Sequence, residues 1–212
     1  MADFSGIFAK IKEVKIVPVV AIEDAADTAP LCEALMAGGI PCAEITFRTA
    51  AAPEAIQAAS KVPGMLVAAG TVLSVEQAQR AVDCGADFLV SPGFSPKVVE
   101  WCQENNVLII PGIATPTDLQ MAVDFGLTTV KFFPAESYGG LKTLKALAAP
   151  YTKMSFMPTG GISAANVRDY LGFKKVIACG GSWMVKSDLI SGKKFAEITR
   201  LAREAVDAVK DL

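Results

Sequence analysis

Short apolar runs recur along the chain at intervals of about 20 to 26 residues, a spacing that restricts the fold more than any other feature of the sequence. Between them lie alanine-rich segments long enough for helices of about 10 to 15 residues. Several segments end at glycine or asparagine, which tolerate the left-handed backbone that closes many helices. The runs cover residues 16–20, 42–46, 65–69, 88–90, 107–110, 129–133, 155–158 and 175–178.

Eight strand–helix units in succession predict an α/β fold whose parallel strands close into a (β/α)8 TIM barrel. The chain has 212 residues, whereas such barrels typically need about 250, so we expect a small barrel with short loops. A doubly wound open sheet is the alternative. Phe4, Ile7, Phe8 and Ile11 recur at helical spacing and predict an extra N-terminal helix over the closed end of the barrel. No linker divides residues 1–212, so we expect a single domain.

The composition argues against several classes of function. The formal net charge is −2, and no run of like charges suggests binding to nucleic acid or to a membrane. No apolar run approaches the roughly 18 residues of a spanning helix, and the first residues do not resemble a signal peptide, so we expect a cytoplasmic protein. Five cysteines without a C-x-x-C pair favour small buried thiols over disulfides or a zinc site. Because the chain has no histidine, an imidazole base and a histidine-ligated zinc are excluded.

One lysine, Lys131, lies inside the strongly apolar run at 129–133. Lysine is rarely buried without a partner or a function. In an extended segment Lys131 and Phe133 point to the same face, and burial of that face favours a neutral amine able to attack a carbonyl. The run therefore predicts a Schiff-base nucleophile, with a structural ion pair to a nearby carboxylate as the alternative.

Other reactive side chains follow the predicted strands, at the end where barrel enzymes hold their active sites. Glu44, Thr46 and Arg48 share one face of the second strand. Glu44 is either the acid/base partner of Lys131 or only its counter-ion. Arg48 offers planar donors suited to a ligand carboxylate, although an exposed arginine at a strand end is also common. Thr71, after the third strand, fits either a ligand contact or the start of a turn or helix.

Three further features fit structural roles. The pairs Pro92-Gly93 and Pro111-Gly112 follow the fourth and fifth runs and are typical of turns that shape a pocket. Glu136 follows the lysine strand in a polar loop. A solvated carboxylate is the simplest interpretation of Glu136, with a second acid or a magnesium ligand as alternatives.

Twin glycines follow each of the last two runs, as Gly160-Gly161 and as Gly180-Gly181 before Ser182. Barrels commonly bind phosphate at these two loops, through backbone N–H groups that glycine leaves uncovered and the positive end of a short helix. Ser163 is placed to cap the helix after the first pair. Tight turns also use twin glycines, but their presence in two adjacent loops favours a phosphate cradle.

Seven motifs together closely resemble the 2-dehydro-3-deoxy-phosphogluconate (KDPG) aldolase / 4-hydroxy-2-oxoglutarate aldolase family. The resemblance runs from about Val17 to the last helix. The motifs are AEITFRT at 43–49, AGTVL at 69–73, SPG at 91–93, IPG at 110–112, VKFFPAE at 130–136, PTGGI at 158–162 and GGSW at 180–183.

The resemblance implies a lyase, a metal-free class I aldolase that is usually a homotrimer and uses no cofactor. It implies cleavage of 2-keto-3-deoxy-6-phosphogluconate into pyruvate and glyceraldehyde 3-phosphate in the Entner-Doudoroff pathway of carbohydrate metabolism, and in some members cleavage of 4-hydroxy-2-oxoglutarate into pyruvate and glyoxylate. The residue roles it implies are Lys131 as Schiff-base lysine, Glu44 as general acid/base, Arg48 and Thr71 as pyruvate-carboxylate contacts, Pro92, Phe133 and Thr159 as pocket walls, and Gly160, Gly161, Gly181 and Ser182 as the phosphate site.

The residues themselves leave two other classes open. Another phosphate-binding barrel enzyme, an isomerase or a thiamine-phosphate-synthase-like transferase, would use the glycine loops without a covalent lysine. A non-catalytic phosphosugar-binding protein would use them without turnover, and the lysine that faces Glu44 is the feature it would leave unexplained.

Overall fold

The computed structural model describes residues 3–212, in which strands and helices alternate along the chain. The strands are β1 (Ile16–Val20), β2 (Cys42–Thr46), β3 (Leu66–Gly70), β4 (Phe88–Val90), β5 (Ile109–Ile110), β6 (Gly112–Ile113), β7 (Thr129–Phe132), β8 (Ser155–Pro158) and β9 (Cys179–Gly181). The helices are α1 (Ser5–Val14), α2 (Thr28–Ala37), α3 (Ala52–Ser60), α4 (Val75–Asp83), α5 (Pro96–Glu104), α6 (Pro116–Asp124), α7 (Gly140–Ala148), α8 (Val167–Leu171), α9 (Ser187–Ser191) and α10 (Phe195–Asp207), with short 3-10 helices at Ala25–Asp27 and Glu136–Tyr138.

The strands pair in parallel throughout, so the predicted α/β class is confirmed. One sheet has the order β5-β4-β3-β2-β1-β9, and a second has the order β6-β7-β8. Only Pro111 separates β5 from β6. On the other side, an isolated bridge between Thr159 and Gly180 connects the end of β8 to β9. The parallel strands are therefore curled, and their carboxyl ends lie on one side of the molecule.

Two predicted strands differ from the observed ones. The run at 107–110 forms a strand only in its last two residues, β5. A second short strand, β6, follows Pro111, which has no N–H to donate and interrupts the ladder. The run at 175–178 makes only an isolated bridge through Val176, whose N–H donates back to the Phe173 carbonyl in a turn. Pairing with β1 begins at Cys179, so Gly180 and Gly181 lie within β9 rather than after it.

Helix α1 forms where the spacing of Phe4, Ile7, Phe8 and Ile11 predicted a helix before the first strand. Its Phe4 and Phe8 line a cavity together with residues that lead into β5 and β7. This cavity therefore lies at the amino ends of those strands, opposite the end that carries the reactive side chains.

The five cysteines are free thiols and are all buried, as the composition predicted. Burial raises the pKa of Cys32 to about 12, with a further contribution from the charge of Glu33, and burial raises the pKa of Cys102 to about 12 as well. These thiols therefore stay protonated and pack as small apolar groups. Within residues 3–212 no helix is both long and apolar enough to cross a bilayer.

Gly38, directly after α2, packs closely against α10. A Cβ at this position would overlap the Cβ of Ala202 and lie 2.8 Å from the Thr199 carbonyl oxygen. The φ angle of Gly38 is −83°, a value that any residue adopts, so contact with α10 and not backbone conformation requires glycine here.

Gly38→Ala is expected to lower the free energy of unfolding by about 1–3 kcal/mol, because overpacking forces the two helices apart. Gly6→Ala is the matched control, since a Cβ at Gly6 would meet nothing within 4 Å. Alanine also has the higher helix propensity, by about 0.5–1 kcal/mol, so the control should be as stable as the wild type or more stable. Urea denaturation measures both variants. Wild-type stability of Gly38→Ala would contradict the close contact between α2 and α10.

Candidate active site

Lys131 on β7 and Glu44 on β2 meet inside the curled sheet. The Lys131 Nζ lies 3.0 Å from the Glu44 Oε1 and donates a hydrogen bond to it. Lys131 is 4% exposed and Glu44 is 0% exposed. The two residues are 87 positions apart in the sequence, so the fold alone brings them together. The juxtaposition predicted from strand alternation is confirmed, and it supplies an amine next to a group that can accept or donate a proton.

The place of Glu44 depends on Gly70, the last residue of β3. Gly70 pairs with Thr46 on the neighbouring strand, and a Cβ at Gly70 would overlap the Glu44 carboxylate. The second carboxylate oxygen, Oε2, is buried and has no hydrogen-bond partner within residues 3–212. A buried polar atom without a partner costs roughly 1–3 kcal/mol. Such an atom is therefore suited to bind a proton of a ligand.

Arg48 is exposed just after β2, and its side chain is fixed by a short chain of hydrogen bonds. Its Nε donates to the Thr46 hydroxyl oxygen at 2.9 Å, and this hydroxyl donates to the Val20 carbonyl at 2.7 Å. Thr46, predicted on the same face, therefore orients Arg48. The two terminal nitrogens of the guanidinium make no hydrogen bond to the described part of the chain, so this planar pair of donors remains available for an anion.

Thr71 follows β3 with a left-handed backbone, at a φ of 57°. A β-branched residue rarely adopts this conformation, and strain of this kind concentrates at functional sites. Thr71 does not start the next helix, since Ser74 caps α4 by accepting a hydrogen bond from the Gln77 N–H. Helix capping therefore does not account for Thr71, which lies at a bend directly after β3.

Phe133, Pro92 and Thr159 surround the lysine strand in different ways. The centre of the Phe133 ring lies 5.3 Å from the Lys131 Nζ. Phe133 and Pro92 both line a cavity of about 270 Å³. The Thr159 hydroxyl is buried and has no hydrogen-bond partner within residues 3–212, and a Cβ at Gly180 would overlap it. Phe133 and Pro92 thus line one cavity. Thr159 places its hydroxyl at the bridge to β9.

The Gly160-Gly161 turn has the left-handed backbone that favours glycine, with φ angles of 96° and 79°. The Glu136 N–H donates to the Gly160 carbonyl at 3.0 Å, and the Asn166 Nδ2 donates to the Gly161 carbonyl at 3.0 Å. The protein thus holds this turn through its carbonyl groups. Ser163 does not cap the next helix as predicted, because α8 begins only at Val167 and its N-cap is Asn166.

The second glycine pair is placed differently from the first. Gly181 is the last residue of β9, and a Cβ there would overlap the Trp183 ring. Ser182 is exposed directly after the strand. The prediction that Gly180 and Gly181 form the loop is therefore wrong, because their strand starts four residues later than the apolar run. Ser182 nevertheless stands at the carboxyl end of the sheet.

Sequence reasoning missed Tyr170, which contacts Glu136. Tyr170 is 1% exposed, and its hydroxyl donates a hydrogen bond to the Glu136 Oε1. Burial, and then this hydrogen bond, raise the pKa of Tyr170. Glu136 is exposed, as a solvated carboxylate would be, but its Oε1 is held by the hydrogen bond from the buried Tyr170. An aromatic residue at helical spacing indicates core packing, and no local signal reveals what its hydroxyl contacts.

No three His, Cys, Asp or Glu side chains come together as a possible metal site in the described range 3–212. Among sequence families, the model of KDPG and KHG aldolase matches residues 7–201. A 2-dehydro-3-deoxy-phosphogluconate aldolase of Haemophilus influenzae is 48% identical over 205 residues, which cover 96% of this chain and 97% of the relative.

Two solved structures are similar to this fold. The 2-keto-3-deoxy-6-phosphogluconate aldolase of Zymomonas mobilis, solved with 3-phosphoglycerate, has a TM-score of 0.89 at 38% identity and covers 96% of each chain. The KDPG aldolase of Legionella pneumophila, with pyruvate captured at low pH as a covalent carbinolamine intermediate, has a TM-score of 0.90 at 35% identity and covers 93% of this chain and 97% of that one. This chain belongs to the KDPG and KHG aldolase family.

Proposed function

We propose that this protein is a class I aldolase that reversibly cleaves 2-keto-3-deoxy-6-phosphogluconate into pyruvate and D-glyceraldehyde 3-phosphate. The buried contact between Lys131 and Glu44 carries the proposal. Lys131 is the one buried lysine within residues 3–212, and a carbinolamine, as captured in the Legionella relative, is the adduct of an amine with a ketone. An isomerase or a binding protein would gain nothing from burying this pair, because burying two charges costs free energy.

The first half of the reaction forms an imine. Transfer of a proton from the Lys131 Nζ to the Glu44 Oε1 leaves a neutral amine and a neutral acid, which suits a site closed to water. The amine attacks the C2 ketone of the substrate. As the C2–N bond forms, the C=O π bond breaks, and the oxygen takes the proton that the attacking nitrogen gives up. Glu44 then protonates the C2 hydroxyl, which leaves as water. The product is a cationic imine at C2 and an ionised Glu44.

The second half breaks the carbon–carbon bond. Glu44 accepts the proton of the C4 hydroxyl, and the electron pair of the C3–C4 bond moves to C2–C3, which gives an enamine and neutralises the imine. The aldehyde, glyceraldehyde 3-phosphate, leaves. Glu44, directly or through water, returns its proton to C3, and water hydrolyses the resulting imine to release pyruvate. The Glu44 Oε2, which has no hydrogen-bond partner within residues 3–212, is the atom available for these transfers.

The remaining site residues bind the two ends of the substrate. Arg48 and Thr71 bind the carboxylate, supported by the free guanidinium nitrogens of Arg48 and the strained turn at Thr71. The residues that form the pocket wall are Pro92, Phe133 and Thr159. The phosphate-binding residues are Gly160, Gly161, Gly181 and Ser182, a group of backbone and hydroxyl donors that fits a chain with a net charge of −2.

We also propose the wider setting of the enzyme. Residues 1–212 form one domain, a small closed (β/α)8 barrel with α1 as an extra N-terminal helix, which the bridge between Thr159 and Gly180 supports. It assembles as a homotrimer, as the resemblance implies, and acts in the cytoplasm, where five free thiols would stay reduced. The match to KDPG and KHG aldolase supports 4-hydroxy-2-oxoglutarate as a second substrate, cleaved to pyruvate and glyoxylate. The chemistry proposed above uses no metal and no cofactor.

Pyruvate and borohydride together should trap the imine on Lys131. Mass spectrometry is expected to find the mass of one reduced pyruvate adduct, and peptide mapping should place it at Lys131. Lys131→Ala should take up no adduct and lose cleavage activity, whereas the control Lys186→Ala, at an exposed lysine, should behave as the wild type. An adduct on another lysine, with Lys131→Ala still active, would overturn the mechanism.

Glu44→Gln should leave a folded protein and slow cleavage by about 10²- to 10⁴-fold, the usual effect of losing a general acid/base. The change should also slow exchange of the pyruvate methyl protons with solvent, as followed by NMR, because this exchange needs an acid/base at C3. Wild-type exchange in the variant would remove Glu44 from that step. An unfolded variant would favour a structural ion pair, since breaking a buried pair can cost about 3–5 kcal/mol.

Gly161→Ala should selectively weaken the binding of phosphorylated substrates. The φ of Gly161 is 79°, and a Cβ there would lie 2.5 Å from the Glu136 Cβ, so the turn must move. Losing one hydrogen bond to the phosphate should raise the KM for 2-keto-3-deoxy-6-phosphogluconate about 10- to 100-fold. Trapping of the pyruvate imine should be unaffected. An equal loss of activity on phosphorylated and unphosphorylated substrates would mean that the phosphate binds elsewhere.

A further inference from the structure

A carboxylate lies against the turn that holds the proposed phosphate site. The Glu136 N–H is bound to the Gly160 carbonyl, and the Glu136 Cβ stands where a side chain on Gly161 would be, 2.5 Å from an ideal Cβ. The Glu136 Cγ also lies close to this position, at 2.6 Å, so rotation about the Cβ–Cγ bond would swing the carboxylate toward the Gly161 backbone. A negative charge there would repel a phosphate, which is itself an anion.

The structure directs this carboxylate away from the turn. The Glu136 Oε1 accepts the hydroxyl proton of Tyr170 from α8. The same oxygen lies near Gly140, the first residue of α7, where an ideal Cβ would be 2.9 Å from Oε1 and 3.2 Å from the Tyr170 hydroxyl. A glycine at 140 thus makes room for both groups. The positive end of α7 favours the carboxylate in this position.

Tyr170 has a hydroxyl that packing alone does not require. The residue is 1% exposed, and burying a hydroxyl is unfavourable unless it finds a partner. Phenylalanine would fill the same space without this cost. The one hydrogen bond that the Tyr170 hydroxyl makes within residues 3–212 goes to Glu136. The hydroxyl therefore acts by holding the Glu136 carboxylate in position.

We propose that Tyr170 is a positioning residue that keeps the Glu136 carboxylate turned away from the Gly160-Gly161 turn and thereby sets the selectivity for phosphorylated substrates. This inference rests on the proposed aldolase function and on phosphate binding at the turn. It assigns Glu136 no part in proton transfer. It also explains how an anion site and a fixed carboxylate can share one loop.

The test compares two substrates that differ only in the phosphate, 2-keto-3-deoxy-6-phosphogluconate and 2-keto-3-deoxygluconate. Selectivity is the ratio of their kcat/KM values, and inhibition by inorganic phosphate gives a second readout without turnover. Tyr170→Phe should lower the ratio about tenfold through a higher KM for the phosphorylated substrate. The inhibition constant for inorganic phosphate should rise by a similar factor. The kcat on the unphosphorylated substrate should not change.

Removing the charge of Glu136 should reverse the effect. Glu136→Gln alone should keep or raise the ratio, and Glu136→Gln combined with Tyr170→Phe should restore it, because a neutral amide does not repel phosphate. Tyr151→Phe is the matched control: it deletes a tyrosine hydroxyl that donates to the Pro116 carbonyl, and it should leave the ratio unchanged.

Several outcomes would overturn the inference. These are an unchanged ratio in Tyr170→Phe, equal losses on both substrates, or failure of the double variant to recover. If Tyr170→Phe does not fold, a lowered ratio in Glu136→Gln alone would reject the inference, and a kept or raised ratio would support it. Failure of the proposed function has a different signature, since the wild-type protein would then show no cleavage of either substrate or no preference for the phosphorylated one.

Discussion

The buried contact between Lys131 and Glu44 is the interaction on which the rest of this structure depends. Removing two charges from water costs several kcal/mol per ion, and mutual attraction offsets this only with good geometry. The pair is buried inside the curled sheet, and in the described part of the chain its second carboxylate oxygen has no hydrogen-bond partner. Such a pair is a poor way to stabilise a fold. It does hold an amine and a carboxylate in direct contact in a buried interior.

Three glycines around the curled sheet leave space for polar side chains. Gly70 leaves room for the Glu44 carboxylate, Gly180 for the Thr159 hydroxyl and Gly140 for the contact of Glu136 with Tyr170. In each case a Cβ would meet the polar atoms of a side chain contributed by another segment. The same arrangement thus recurs around the curled sheet, and in each case a neighbouring side chain requires glycine.

In the proposed site, different physical interactions would bind the two ends of the substrate. The proposed partner of the substrate carboxylate is the positive charge of Arg48, whose side chain is oriented by its hydrogen bond to the Thr46 hydroxyl. The phosphate end has the turn at Gly160-Gly161 and no lysine or arginine among its proposed ligands, so backbone dipoles must serve there. A nearby negative charge matters more at a site without a formal positive charge. If phosphate binds at this turn as proposed, the hydrogen bond from Tyr170 to Glu136 gains its role from this difference.

The sequence by itself determined the class of fold and the identity of the central pair. The apolar runs recur at a period that only strand–helix units satisfy, and alternation along two strands puts Lys131 and Glu44 on interior faces. Strand ends were harder to predict, because burial of 175–178 looks like pairing in the sequence, whereas Cys179 is where pairing with β1 begins. Only the tertiary structure decided the contact of Tyr170 with Glu136, and the left-handed backbone at Thr71. These features depend on which segments meet across the fold, and local periodicity carries no information about that.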